Sequence, residues 1–356
     1  MSRFYNLPVV AKKQETADAV SISFQIPDDL KDQFRYKQGQ YLTLQMDING
    51  EKVRRAYSLS SSPVIDDLHT VTVKRVDGGK MSNRINDIEL GTMMEVMPPQ
   101  GRFFTEINAS NRKHYFLIGG GSGITPLISI IKTVLHAEPN SKCTLIYGNR
   151  NAASIIFKQE LDELVASHPE RLNVVYSIDQ SESGWNGLTG MLTADTIKQL
   201  ISQHQGVLTE REYFICGPAG MMDQAKQAVQ SLGVNASNIH IEYFTAPVGG
   251  EEKQVEVTAP EPDFEGSKVF VKLGGKEYEL LIKDKTTILY AGIKAGIDPP
   301  FSCEAGICST CMAKVIEGSV KMDENNILTD DEVKKGYVLT CQAHPTSKIV
   351  VLEYYD

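Results

Sequence analysis

A chain of 356 residues is too long for one ordinary hydrophobic core, so its length favours two or three domains. Hydrophobic residues make up 41% of the sequence and charged residues 23%, as in globular proteins. No apolar run is long enough to cross a bilayer and the start lacks a secretory pattern, so we expect a cytoplasmic protein without a membrane partner. The net charge of −9 disfavours a nucleic-acid partner, which requires a basic surface.

Residues 1–109 alternate short strand-like runs with turns and contain no long helical pattern. Many short strands of this kind are typical of an antiparallel barrel or sandwich. We therefore predict an antiparallel β-barrel domain over 1–109. The predicted strands are Val20–Gln25, Tyr41–Met46, Ala56–Ser60 and Thr70–Val76.

The pattern changes over residues 110–246, where apolar runs alternate with helical segments. His114–Ile118 leads through GGGSGITP into an apolar helix pattern, Leu127–Leu135, which is the opening of a βαβ unit. The alternation predicts an α/β doubly wound domain with a parallel sheet and helices on both faces. The further predicted elements are strands Cys143–Tyr147, Asn173–Ser177 and Glu212–Cys216, and helices Lys158–Ser167, Ala194–Ser202 and Met221–Leu232.

Residues 247–266 combine glycine, proline and six acidic residues against one lysine, which favours a linker. A loop packed on one of the domains near its two ends is the alternative. A third domain then occupies 267–356. Gly274-Gly275 between two strand-like runs predicts a tight hairpin, and Thr287–Ala295 predicts a helix.

Four of the six cysteines lie in this last domain. The spacing Cys303-x4-Cys308-x2-Cys311, with Cys341 after twenty-nine further residues, matches plant-type 2Fe-2S sites. Small residues in the loop allow backbone N–H groups to approach the sulfurs. Four buried structural cysteines or a zinc site are the alternatives, although zinc sites usually pair two short Cys-x2–4-Cys units.

The last ninety or so residues closely resemble the plant-type ferredoxin domain, which implies an α+β β-grasp fold. The resemblance also implies that Cys303 and Cys308 bind one iron while Cys311 and Cys341 bind the other.

A glycine-rich turn, Gly121-x-Gly123-x-x-Pro126, follows a predicted strand and begins a helix, where free N–H groups favour a pyrophosphate. It departs from the dehydrogenase fingerprint at Pro126 and is a weak signal alone, since proline also suits a first helical turn. Two further segments follow predicted strands, where doubly wound sheets collect ligands: Tyr147-Gly148-Asn149-Arg150 and Cys216-Gly217-Pro218-Ala219-Gly220-Met221-Met222.

Two motifs of the first domain suggest a second phosphate site. They are Arg55-Ala56-Tyr57-Ser58 at a strand end and Gly79-x-x-Ser82 before a predicted helix, where a fixed cation and free N–H groups can hold a pyrophosphate. A surface arginine in a hairpin and an ordinary turn before a helix are the alternatives.

Together these motifs resemble the ferredoxin-NADP reductase superfamily. The resemblance implies that Arg55 holds the flavin pyrophosphate, that Ser82 caps the helix at the phosphates, and that Ser58 lies near flavin N5. It also places Phe244 near the flavin and Glu242 near the nicotinamide, although both could be edge-strand residues. The implied FAD residues are Arg55, Ala56, Tyr57, Ser58, Val73, Gly79, Met81, Ser82, Thr125 and Phe244.

The implied NADP residues belong to the second domain. They are Gly121, Gly123, Thr125, Asn149, Arg150, Cys216, Gly217, Pro218 and Met221. The residues implied at the reaction itself are Ser58, Cys216 and Glu242, with Cys216 as a contact rather than a nucleophile. Cys143, inside an apolar strand, is interpreted as core. NADP is favoured over NAD because Arg150, rather than an acid, follows the second strand.

The domain order resembles the fused reductases of bacterial oxygenases, which implies electron flow from NADPH or NADH through FAD and a 2Fe-2S cluster to an oxygenase. FMN is the alternative flavin. The resemblance is greatest to reductases of phenylacetyl-CoA epoxidases, then to those of steroid ring hydroxylases and of hybrid cluster protein. A non-catalytic iron-sulfur redox sensor and a reductase of dyes or ferric chelates are the other hypotheses, and the sequence gives no oligomeric state.

Overall fold

The computed structural model describes residues 4–244, 266–283 and 285–354. They divide into two compact units: Tyr5–Phe244, which contains two sheets, and a C-terminal unit that includes 266–354. Nearly all of the predicted linker, residues 247–265, lies outside the described residues. The predicted boundary at 109/110 falls between the two sheets of the first unit, and both domain boundaries of that unit stay predictions. In the described part of the chain, no helix combines the length and apolarity needed to span a membrane.

The first sheet is antiparallel and has the strand order β4-β3-β6-β1-β2-β5. A bridge between Leu59 and Val71 joins its two outer strands and closes the sheet into a barrel. On β2, Val20 and Ile22 enter the apolar core, while Ser21 bonds Thr72 at 2.8 Å. The elements are β1 (Tyr5–Thr16), β2 (Ala19–Phe24), β3 (Tyr41–Ile48), β4 (Glu51–Ser58), β5 (His69–Lys74), α1 (Lys80–Asn86) and β6 (Met93–Val96).

The second sheet is fully parallel, with the order β10-β9-β8-β7-β11-β12. Alternate residues of β7 enter opposite cores: Tyr115 and Leu117 pack on one face, and Phe116 and Ile118 on the other. The elements are β7 (Lys113–Gly120), α2 (Ile124–Ala137), β8 (Lys142–Asn149), α3 (Lys158–Ser167), β9 (Leu172–Ile178), β10 (Leu188–Thr189), α4 (Ala194–His204), β11 (Glu210–Gly217), α5 (Ala219–Ser231) and β12 (Ile239–Tyr243).

The C-terminal unit contains a mixed five-stranded sheet, β14-β13-β19-β15-β17, and a two-stranded sheet, β16-β18. The predicted hairpin is confirmed, with Gly274 and Gly275 at φ 58° and 71°, the region that favours glycine. The elements are β13 (Ser267–Leu273), β14 (Lys276–Ile282), α6 (Ile288–Lys294), β15 (Met312–Glu317), β16 (Val320–Met322), α7 (Asp330–Lys334), β17 (Tyr337–Leu339), β18 (Ala343–Pro345) and β19 (Ile349–Tyr354).

The predicted architecture is confirmed: an antiparallel barrel, a parallel α/β domain and a β-grasp unit follow one another. The sequence prediction gave no strands for β1, β6, β10 and β12, nor for β15 to β19 of the C-terminal unit. In β1 and β6 the polar residues do not alternate cleanly with apolar ones, β10 has only two residues, and β12 alternates but has only five.

Candidate functional site

The glycine-rich turn lies where the order of the parallel sheet reverses. Strand β7 lies between β8 and β11. From β7 the chain extends the sheet first in one direction, through β8, β9 and β10, and then in the other, through β11 and β12. The carboxyl ends of β7 and β11 therefore form the topological switch point. A 3-10 turn, Gly121–Gly123, connects β7 to α2. Ligands of open α/β sheets bind at this place because helix N-termini and loops converge there.

Two of the predicted nucleotide segments pack backbone to backbone. A Cβ added to Gly123 would lie 2.1 Å from the Cys216 carbonyl oxygen, and one added to Gly217 would lie 2.8 Å from the Gly120 nitrogen. A Cβ on Gly120 would meet Pro218 and Met221 at 2.7 and 2.9 Å. Glycine is therefore required in this turn by close packing as well as by any ligand.

Cys216 and Glu242 are neighbours in the sheet, since they are paired in register between β11 and β12. Cys216 is fully buried, and burial, with Glu242 nearby, raises the pKa of its thiol well above its usual value. A thiol held protonated in this way is a poor nucleophile, as expected for a contact residue. Cys143 is equally buried in the core, as predicted.

The strand end after β8 carries Asn149 and Arg150. Arg150 is exposed, whereas Asn149 is 5% exposed and neither of its amide atoms makes a hydrogen bond of normal geometry. A buried amide without a hydrogen bond of normal geometry is costly, even with the Tyr147 hydroxyl nearby, so this side chain fits a site that is completed by a ligand. Thr125 is less available, because its hydroxyl donates to the Ser122 carbonyl at 3.1 Å.

Lys74 is a residue of this region that the sequence analysis missed. It ends β5 of the barrel, and a methyl group at Gly121 would lie 3.7 Å from its Nζ. Burial and the neighbouring Arg150 lower the pKa of Lys74, in that order, against a smaller opposite effect of Asp18. Lys74 therefore places a cation beside the glycine turn, with Arg150 close enough to affect it, and such cations suit phosphate groups. Its position directly after Val73, a predicted site residue, points to the region, but no local pattern shows that Lys74 reaches the glycine turn.

The barrel brings the predicted flavin motifs together. The Leu59–Val71 bridge sets the end of β4, with Tyr57 and Ser58, beside β5, which contains Val73. Arg55 is exposed, and burial raises the pKa of Tyr57, so its phenol is neutral. The remaining predicted flavin residues differ in exposure: Ala56 is half-buried, Val73 and Met81 are buried, and Phe244 is 37% exposed.

The expectation that Ser82 caps the helix is wrong. Gly79 is the N-cap of α1, and the Ser82 hydroxyl accepts a hydrogen bond from the Val76 N–H at 3.2 Å. A Cβ on Gly79 would lie 2.5 Å from Ser82 Oγ, so glycine at this position allows the turn to close. Ser82 is buried next to the start of the helix and supports the turn instead.

The four cysteines of the C-terminal unit form two pairs. The thiols of Cys303 and Cys308 are close enough to shift each other's pKa, and so are those of Cys311 and Cys341. This pairing agrees with two irons that each take two cysteine ligands. Within residues 4–244, 266–283 and 285–354, no group of three or more His, Cys, Asp or Glu side chains has an arrangement that would hold a single metal ion.

Backbone donors surround these sulfurs. The neighbouring Cys308 and, after it, N–H groups of the loop lower the pKa of Cys303, although burial acts against them, and the Ala305 N–H donates to its sulfur at 3.4 Å. Cys311 and, after it, the backbone of Gly306 lower the pKa of Cys341. Gly306 has φ 69°, and a Cβ there would meet the Glu324 carbonyl at 2.9 Å. The hydroxyl of Ser302, 1% exposed, has no hydrogen-bond partner. Donors and an unpaired hydroxyl around anionic sulfur fit a 2Fe-2S cluster.

Three family models match successive parts of the chain. The oxidoreductase FAD-binding domain matches residues 6–105, the oxidoreductase NAD-binding domain 117–227, and the 2Fe-2S iron-sulfur cluster binding domain 271–346. These matches confirm the predicted cofactor classes and exclude zinc as the interpretation of the cysteines.

Relatives of known activity resemble the chain along its whole length. One of the subunits of 1,2-phenylacetyl-CoA epoxidase from Escherichia coli K12 is 38% identical, covering 99% of this chain and 98% of that protein. The ferredoxin reductase component of 3-ketosteroid-9-alpha-monooxygenase from Rhodococcus rhodochrous is 37% identical, covering 99% and 97%.

Among solved structures, phthalate dioxygenase reductase has the same fold, with a TM-score of 0.58 at 22% identity, covering 99% of this chain and 98% of that one. The chain therefore belongs to the family of reductase components of oxygenase systems, within the ferredoxin-NADP reductase superfamily, and is an oxidoreductase with FAD-binding, NAD-binding and 2Fe-2S domains.

Proposed function

We propose that this chain is the reductase component that supplies NADPH-derived electrons to a di-iron oxygenase, which epoxidises the aromatic ring of phenylacetyl-CoA. The observation that carries the proposal is the full-length likeness to the epoxidase component of Escherichia coli. A reductase does not contact the substrate of its oxygenase. Its residues therefore give no direct information about that substrate. The proposal is tested by measuring electron delivery to the partner oxygenase.

FAD held by Arg55, Tyr57 and Ser58 would supply the conversion of a hydride's electron pair into single electrons, which a 2Fe-2S cluster held by the four cysteines would carry. The chain's own residues hold the reactants for these transfers. Arg55 supplies a cation for the flavin pyrophosphate, while Tyr57 and Ser58 line the ring and exclude water from it. Cys216 and Glu242, paired in register, border the nicotinamide. No side chain is required as an acid or base for hydride transfer, so catalysis depends on positioning.

The preferred nucleotide in this proposal is NADPH. Arg150 follows the strand at whose end NAD-specific folds usually carry an acid, and its cation suits a 2′-phosphate. The influence of Arg150 on the pKa of Lys74 indicates that the two cations share one electrostatic field. The burial of Asn149 and its lack of normal hydrogen bonds support a role for this amide in binding the nucleotide.

Cys303, Cys308, Cys311 and Cys341 hold the cluster, and the surface around them is the outlet to the partner. Cys303 is only half-buried, whereas the other three ligands are buried. Exposed acids border the loop: Glu304 is adjacent to Cys303, and the backbone of Glu324 packs on Gly306. These carboxylates would steer a partner with a basic face, an attraction that weakens as salt rises.

Reconstitution tests the proposal. Mixed with the oxygenase components of the epoxidase, NADPH and phenylacetyl-CoA, the protein should support product formation at low protein concentration. A Rieske-type oxygenase in the same assay should receive electrons slowly and form little product. Turnover with the Rieske enzyme and none with the di-iron enzyme would reverse the assignment.

A Rieske-type ring hydroxylase is the second candidate partner, because one specific observation favours it. The 3-ketosteroid-9-alpha-monooxygenase reductase is nearly as similar, at 37% against 38% identity. The same assay with the corresponding hydroxylase and its steroid substrate decides between the two.

A further inference from the structure

Tyr147 is a fully buried tyrosine at the end of β8, just before the exposed Arg150. Its ring packs in the apolar core beneath α2, and its hydroxyl donates to the Gly121 carbonyl at 2.9 Å. Burial raises the pKa of this phenol, while the backbone of Ile156, in the turn before α3, and the Asn149 amide lie near the hydroxyl and act in the opposite direction. The hydroxyl thus lies where three segments meet at the switch-point edge of the sheet.

An apolar side chain would fill this space without the cost of burying a hydroxyl, so the hydroxyl requires an explanation. Its hydrogen-bond partner is a backbone carbonyl of the glycine turn rather than of the sheet. Gly121 has φ 51°, and its carbonyl also accepts a hydrogen bond from the Ile124 N–H within the 3-10 turn. Because glycine allows many backbone orientations, the Tyr147 hydroxyl is a second donor that helps to select this one.

The planarity of the peptide bond gives this selection a consequence for ligands. The Gly121 carbonyl and the Ser122 N–H belong to one trans peptide and point in opposite directions. Because the carbonyl is held toward Tyr147 and the core, the Ser122 N–H is directed away from the core, toward the crevice. Lys74 Nζ lies near the turn, 3.7 Å from a Cβ placed on Gly121.

From this geometry we infer that Tyr147 is a positioning residue of the nucleotide site, whose hydroxyl orients the Gly121–Ser122 peptide toward the pyrophosphate and fixes this turn relative to Asn149. The inference rests on the proposed nucleotide site and adds a residue to it. Tyr147 touches neither nucleotide nor flavin and acts through the backbone. Since the pyrophosphate is common to both nucleotides, its effect extends to NADH as well as NADPH.

The test is Tyr147→Phe in the full-length holoprotein, which keeps the ring and removes the hydroxyl. The apparent dissociation constant for NADPH, measured from the concentration dependence of flavin bleaching in stopped flow, should rise about five- to tenfold, the usual effect of one hydrogen bond. The value for NADH should rise by a similar factor. The limiting rate of bleaching and the FAD and iron contents should stay unchanged, because only binding is affected.

Tyr115→Phe is the matched control. Tyr115 is buried in the adjacent strand of the same sheet, but its hydroxyl donates to Glu138 at 2.9 Å near the beginning of the strand. This variant should lose stability without a change in nucleotide affinity. Unchanged affinity in Tyr147→Phe, or an equal loss in Tyr115→Phe, would overturn the inference. Wild-type flavin that neither nucleotide bleaches would overturn the proposed function, and the inference with it.

Discussion

The cysteine loop of the C-terminal unit and the glycine turn of the first unit use the same device, backbone N–H groups exposed by small residues, in different ways. At the cysteine loop, residues 303–311 provide three ligands and several donors within one segment. At the glycine turn, donors and cations come from β5, β7, β8 and β11, which are far apart in the sequence. A site contained in one loop depends on local spacing, whereas a site assembled from several strands depends on the fold.

Removing a cluster ligand should have the largest effect and sharpen this comparison. Cys341→Ser should abolish electron delivery to the oxygenase, because the second pair of thiols loses one member. Reduction of ferricyanide by NADPH should persist, since the flavin and nucleotide residues belong to the other unit.

Cys143→Ala is the control, because it removes a buried cysteine that lies in the core of the first unit. It should retain the cluster absorbance and the electron delivery. Equal loss of ferricyanide reduction and delivery in Cys341→Ser would mean that the two units are not functionally separable.

Gly123→Ala should have the next largest effect, on nucleotide use alone. Its Cβ would lie 2.1 Å from the Cys216 carbonyl, so the turn and the Cys216 segment must separate. We expect kcat/KM for NADPH to fall about ten- to a hundredfold, in line with the cost of overpacking. Gly220→Ala is the control, because nothing lies within 4 Å of its added Cβ. Similar kinetics for both variants would contradict close packing as the role of Gly123.

The contrast between the two sites also explains what the sequence could predict. The four cluster ligands follow from one spacing, and the hairpin at Gly274-Gly275 from two adjacent glycines. The assembled site was predicted only in part. Lys74 reaches Gly121 because the barrel packs beside the glycine turn, a contact that no local pattern encodes. The same holds for Ser82, whose hydroxyl bonds Val76 and not the helix end.

Arg150→Ala should have a smaller effect, limited to one nucleotide. Loss of the cation facing the 2′-phosphate should lower kcat/KM for NADPH about tenfold and leave that for NADH nearly unchanged. Steady-state ferricyanide reduction with each nucleotide gives the ratio. The control is Arg112→Ala, which removes a cation just before the beginning of β7. Arg171→Ala is unsuitable as a control, because Arg171 donates hydrogen bonds to two backbone carbonyls. An unchanged NADPH to NADH ratio in Arg150→Ala would refute the proposed nucleotide preference.

The smallest expected effect concerns docking at the cysteine loop. Glu304→Gln removes one exposed carboxylate beside Cys303 and should slow association with the oxygenase about two- to threefold at low salt, with the difference fading as salt rises. Glu353→Gln, an exposed carboxylate near the end of β19, is the control. The rate of cluster oxidation by the oxygenase measures the effect, and a salt-independent difference would point to a structural cause.

The most direct test of the whole account is the order of colour loss after NADPH is mixed with the anaerobic protein in stopped flow. Flavin absorbance should bleach first, and cluster absorbance should decrease later in the same molecule. In Cys341→Ser, only the first phase should remain. Flavin bleaching with a cluster that stays oxidised, or cluster reduction that precedes the flavin, would contradict the proposed path of electrons from nucleotide to flavin to cluster.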